Sequence, residues 1–176
     1  MENHWFDGRK VACYHPVTYG SLVGELIRRV DGRRPGTFFR EEVAQKVGAD
    51  FQVGLSSTSD LARVAGLQFP LPPTELPPTD PLEERVFGSV GPGDWSSRER
   101  LSADIPASNG CGNGRSIARI CAILALRGEH DGVRYLSQRM VDEAATVQAY
   151  TEDRVLGWIK YGLGFGLHSS AYWLTH

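Results

Sequence analysis

The stretch Cys13-Tyr14-His15-Pro16-Val17-Thr18-Tyr19-Gly20, with the run that follows it, constrains this chain more than any other. Pro16 fixes its own φ and turns His15 away from helical geometry, so Tyr14 and His15 must lie on extended backbone. Thr18 can cap a helix there, because a hydroxyl accepts from the unpaired amides of a first turn. Leu22, Val23, Leu26, Ile27 and Val30 recur at helical spacing. They predict a helix over 18–31 with one apolar face in a core, closed by Asp31-Gly32 as a left-handed cap. A tyrosine is thereby held just ahead of a helix, where its phenol can face a cleft.

The remaining elements are read the same way. Arg33-Arg34-Pro35-Gly36 is a loop, and Thr37 caps a helix to Val47 with Phe38, Phe39, Val43 and Val47 on its core side. Phe51 to Leu55 alternates like a short strand, and Leu61 to Ala65 is a short helix. Six prolines between Phe69 and Pro81 mark an extended arm, and 69–100 as a whole is proline-rich and loop-rich. Asn109 to Gly114 is a glycine-rich turn ahead of a helix over 115–127, whose stripe is Ile117, Ile120, Cys121, Leu124 and Ala125. Ser137 caps a further helix to Ala145, and Gly162 to Leu167 is a glycine-laced strand.

Composition excludes several classes. A chain of 176 residues with 41% hydrophobic and 23% charged content is long enough for one domain with a core. A net charge of −2 gives no reason to expect nucleic acid or an anionic membrane as partner. No apolar run reaches the ~20 residues of a membrane span. Three cysteines, Cys13, Cys111 and Cys121, in no metal-ligand spacing fit a reduced, cytoplasmic protein. Histidines 4, 15, 130, 168 and 176 form no His-x-x-x-His pair, so neither a metal nor another cofactor is expected. Gly110-Cys111-Gly112-Asn113-Gly114 lacks the Lys-Ser/Thr of a phosphate-binding loop.

The run Tyr14-His15-x-x-Thr18-x-Gly20-x-Leu22-x-Gly24-Glu25-x-x-Arg28-Arg29 resembles the tyrosine motif of the serine β-lactamase-like hydrolases. The likeness is strongest to family VIII carboxylesterases, relatives of class C β-lactamases and penicillin-binding proteins. Gly36 to Glu42, Gly48 to Leu55, Ile105 to Gly110, Asn113 to Arg119, Gly128 to Ser137 and Tyr161 to Leu167 match the family's order. The resemblance implies an α/β (α+β) chain: a partial β-lactamase/transpeptidase-like fold, helix-dominated with few strands, over 1–176 as a single segment. It implies acyl transfer on a small-molecule ester or lactam. Tyr14 is the catalytic acid–base residue in that scheme, and His15 and His176 are the substrate-binding candidates, His176 standing where the last active-site motif would begin.

The same resemblance shows what the sequence lacks. The family's nucleophile is the serine of Ser-x-x-Lys, with the lysine one helical turn on. Here Lys10, Lys46 and Lys160 follow Asp7, Val43 and Gly157 by three positions, so no such motif is present. Ser116-Ile117-Ala118-Arg119 imitates it with a guanidinium that stays protonated and cannot serve as a base. Pro16 replaces the Asn or Ser of the lactamases and favours the esterase branch. The expectation is an internal, truncated segment that is inactive alone. The alternatives are a non-catalytic binding remnant, or a subunit completed by a chain that carries Ser-x-x-Lys. An exposed sheet edge or helix face predicts self-association.

Overall fold

A computed structural model describes residues 12–14, 18–66, 96–154 and 156–168. The chain divides into two compact units, one of residues 15–122 and one of residues 1–14 with 123–176. The expected arm at 69–81 lies outside the described residues.

In the unit of residues 15–122, α1 runs Thr18–Asp31 and stops as the sequence predicts. Gly32 takes φ +89° and donates its N–H to the Arg28 carbonyl at 2.9 Å. The burial is the reverse of the expectation. Leu22, Leu26 and Val30 are 66%, 61% and 89% exposed, whereas Gly20 and Gly24 are buried. A Cβ at Gly20 would stand 2.6 Å from the Ala107 nitrogen, and one at Gly24 2.8 Å from Pro35 Cγ. The helix is seated by its smallest residues, because only they let another backbone approach so closely.

The second helix starts earlier than Thr37. α2 spans Pro35–Phe39 and continues as a π-turn over Arg40–Ala44, with Gln45 N–H donating to Arg40 O at 2.9 Å. Pro35 suits the first helical position, where its missing N–H costs nothing. Thr37 is not the cap. The Gly36 N–H donates instead to both carboxylate oxygens of Asp104, each 3.2 Å away. The Arg33 guanidinium ties the entry, meeting Asp31, Glu41 and Glu42 at 2.5, 2.9 and 2.9 Å and lying over the Phe38 ring.

β1 (Phe51–Val53) pairs antiparallel with β2 (Gly110–Gly112), with Phe51 opposite Gly112 and Val53 opposite Gly110. The expected glycine turn is therefore a strand. A Cβ at Gly110 or Gly112 would come within 2.6 Å or 2.4 Å of the Phe51 ring, so the glycines make room for that ring. Phe39 meets Phe51 edge-on with centroids 5.8 Å apart. α3 is Thr58–Leu61, capped by Ser57 and so earlier than the expected 61–65. α4 (Arg98–Ser102) is capped by Ser97 and buries Leu101, whose carbonyl accepts from Leu55 N–H at 2.8 Å. Buried Asn109 donates to the Arg100 and Ala103 carbonyls and accepts from Ile105 N–H.

α5 covers Gly114–Ala125, close to the expected bounds. Its buried side is Ser116 and Ile123, while Ile117 and Cys121 of the expected stripe are exposed. In the unit of residues 1–14 and 123–176, Arg127 and Gly128 end this helix in left-handed conformation, φ +57° and +90°. β3 (Glu129–His130) and β4 (Val133–Arg134) form a hairpin turned by Asp131 and Gly132, φ +50° and +74°. α6 is Gln138–Ala144, and Ser137 Oγ accepts the Met140 N–H as the sequence predicts. β5 (Ala149–Asp153) pairs antiparallel with β6 (Gly157–Tyr161) around buried Ile159. The expected strand over 162–167 is a set of bends with one bridge, Gly166 to Tyr161. Among the described residues, no helix is long and apolar enough to cross a membrane.

Candidate functional site

The tyrosine segment is positioned by the turn end of the β5–β6 hairpin. Ala12 forms a parallel bridge with Asp153, and its carbonyl accepts from the Arg154 N–H at 3.1 Å. Asp153 is 3% exposed, and its Oδ1 accepts the Leu156 N–H at 3.0 Å, which holds the turn in place. Cys13 follows, half-buried; burial pushes its thiol up, the Asp153 charge pushes further and Arg154 opposes. Tyr14 comes next, outside any helix or strand, and is 39% exposed. The ring is not in the core, so solvent or a ligand can reach it.

His15 and His176, the other two predicted site residues, lie outside the described residues. Sequence reasoning missed Asp153 and Arg154 as the residues that hold Ala12, two positions before Tyr14. Nothing in Thr151-Glu152-Asp153-Arg154 signals a partner some 140 positions upstream in the chain.

The apparent nucleophile motif has a different task. Ser116 is 4% exposed, its hydroxyl donates to Asn113 Oδ1 at 3.1 Å, and its oxygen accepts the Asp50 N–H at 2.9 Å. Arg119 donates to the Gly48 carbonyl. Both members tie α5 to the loop before β1, and a hydroxyl so engaged is not free to attack. Cys111 is held likewise, with its thiol pushed up by burial and directed at the Asn109 carbonyl at 3.6 Å. Among the described residues, no three His, Cys, Asp or Glu side chains gather as metal ligands.

The mixed helix and strand content is that of a β-lactamase/transpeptidase-like fold, and solved structures share it. A family VIII carboxylesterase overlays with a TM-score of 0.81 at 29% identity, over 96% of this chain and 46% of that one. A penicillin-binding protein homologue from Caulobacter crescentus gives 0.74 at 33% identity, over 89% and 42%. EstA from Arthrobacter nitroguajacolicus Rue61a gives 0.78 at 25% identity, over 94% and 46%. The chain belongs to the Beta-lactamase family, whose model matches residues 2–176. The esterase/beta-lactamase LipL of Mycobacterium tuberculosis is 30% identical over 146 residues, 74% of this chain and 33% of its own length. This chain thus spans less than half the length of each of these relatives.

Proposed function

We propose that this chain is the tyrosine-bearing portion of a β-lactamase-like serine hydrolase of the carboxylesterase type, and that by itself it does not turn over an ester. Tyr14 acts as the proton-transfer group: its phenolate takes the proton of an attacking serine, and the phenol so formed gives that proton to the leaving alkoxide, after which water releases the acyl group. His15 and His176 contact the substrate. The observation that carries this reading is the reachable Tyr14 ring, 39% exposed two residues after the Ala12–Asp153 bridge within a Beta-lactamase family chain. The missing partner of that phenol is the serine, since no Ser-x-x-Lys stands in these residues.

A second reading, completion by a polypeptide that carries Ser-x-x-Lys, is favoured by the solvent-facing Leu22, Leu26 and Val30 of α1. Intact-mass spectrometry after treatment with a fluorophosphonate and with penicillin tests both. The chain alone is expected to take up no label; a stoichiometric adduct on it would overturn the assignment of the nucleophile to another polypeptide. In an assembly that hydrolyses p-nitrophenyl esters, Tyr14→Phe should lower kcat by about 100-fold or more with KM little changed. An unchanged kcat would remove Tyr14 from the chemistry.

A further inference from the structure

Two asparagine–glycine pairs, Asn109-Gly110 and Asn113-Gly114, stand at the two ends of β2. Such a pair is chemically labile, because glycine has no side chain to shield its amide nitrogen from the neighbouring carboxamide. The fold treats the two pairs differently. Asn109 is 5% exposed; its Nδ2 donates to the Arg100 and Ala103 carbonyls, and its Oδ1 accepts the Ile105 N–H at 3.2 Å. Gly110 is paired with Val53 in β2. The carboxamide, its leaving nitrogen included, is therefore pinned away from water, and the attacking amide sits in a paired strand.

Asn113 is exposed, and Gly114 opens α5 with nothing within 4 Å of where a Cβ would stand. The Asn113 Oδ1 accepts the Ser116 N–H at 3.0 Å and the Ser116 hydroxyl at 3.1 Å. Two donors on that oxygen draw charge from Cγ and favour attack on it. Nδ2, the group that must leave, has no hydrogen bond among the described residues. The Gly114 N–H belongs to a first turn, whose amides lack helical acceptors, so only the end of α5 must fray to bring this nitrogen over Cγ.

We propose that Asn113 is a self-modifying site, at which the chain converts its own asparagine to aspartate and isoaspartate. The Gly114 nitrogen bonds to Asn113 Cγ, the Cγ–Nδ2 bond breaks, and ammonia leaves with the Gly114 proton, closing a cyclic imide. Water then opens the ring. Cleavage of the new Cγ–N bond leaves aspartate, and cleavage of the original peptide bond leaves isoaspartate, with the main chain routed through Cγ. Aspartate keeps an oxygen for the Ser116 N–H and adds charge where the positive end of α5 favours it. Isoaspartate lengthens the backbone and draws the cap away from Ser116, whose hydroxyl also holds the Asp50 N–H. The step is independent of Tyr14 and of any hydrolytic activity.

Incubation of the full-length chain at pH 8, then tryptic mapping with fragment-ion mass spectrometry against an unincubated sample, tests it. Both asparagines fall in the peptide from Leu101 to Arg115, so the same spectra read both. Two products of equal mass gain are expected at Asn113, formed at least about tenfold faster than at Asn109, which reacts only after losing its buried hydrogen bonds. In guanidinium chloride the two rates should converge. Gly114→Ala, whose methyl meets no neighbour, should fold and slow the Asn113 reaction about tenfold or more. An intact Asn113, equal rates in the folded chain, a gap that survives unfolding, or an undiminished rate in Gly114→Ala would each overturn the inference.

Discussion

Asp104 does for α2 what a neighbouring side chain does for most helices, from 68 residues away. Replacing it with alanine leaves the Gly36 N–H without an acceptor and Arg34 without its carboxylate, now 3.4 Å off. Loss of a helix-start acceptor costs about 1 kcal/mol, and a hydrogen bond to an ionised group about 1.5–3 kcal/mol. The Asp104 side chain is 11% exposed, which favours the upper range, but Arg34 is 68% exposed and its pairing adds less than about 1 kcal/mol. The expected loss for Asp104→Ala is therefore about 2 kcal/mol. For a chain of this size that lowers Tm by about 4–8 °C. Asp104→Asn keeps a carbonyl acceptor and should recover about half of the loss. Urea unfolding followed by circular dichroism reads both, as a shift in midpoint at constant slope. A change under about 0.5 kcal/mol for the alanine variant, or an asparagine variant no better than alanine, would refute the capping account.

Other expectations follow from the same contacts. Gly36→Ala would put its Cβ 2.2 Å from the Val53 carbonyl oxygen and should cost about 3 kcal/mol in urea unfolding, whereas Gly66→Ala meets nothing within 4 Å and should be near neutral. Arg33 holds Asp31 and Glu41 below the usual carboxylate range, and Lys46 with Arg33 does the same for Glu42. Such groups add stability above their ordinary range and lose it as pH falls through their folded values, so Arg33→Gln should flatten the fall in stability between about pH 5 and 3. Iodoacetamide at pH 8 should label exposed Cys121 before Cys13 and Cys111, whose thiols are pushed up, with the gap narrowing as pH rises; peptide mapping reads the order. Light scattering should show association of the chain that Leu22→Glu with Leu26→Glu reduces, since both leucines face solvent.

Much of this fold is legible in the residues, though not which way its faces turn. The ends of α1 follow from apolar spacing and Gly32, and the start of α6 from Ser137, because both are local signals. The seating of α1 is not local. A period of apolar residues marks a stripe without saying what lies against it, and Ala107 and Pro35 take the glycine side instead. β2 was hidden because glycine disfavours strands, and only the Phe51 ring opposite explains its presence in one. α4 is too short for periodicity, although Ser97 before Arg98 is a readable cap. Tyr14 is a candidate through its motif. Asp153 could not be found that way, because a backbone bridge to Ala12 leaves no trace in side-chain pattern.

The seam by which α1 is seated makes its two sides answer to different pressures. At positions 20 and 24 any added atom strikes Ala107 or Pro35 at once, so substitution there is vetoed inside the chain itself. Among the described residues, positions 22, 26 and 30 meet no such veto, and an outside contact is what would favour an oily side chain there. In a lineage where nothing touched that surface, drift would turn those three toward lysine, glutamate and serine while the glycines stood unchanged. The present leucines and valine therefore mark α1 as the place on which to score, mutation by mutation, whether this polypeptide works alone.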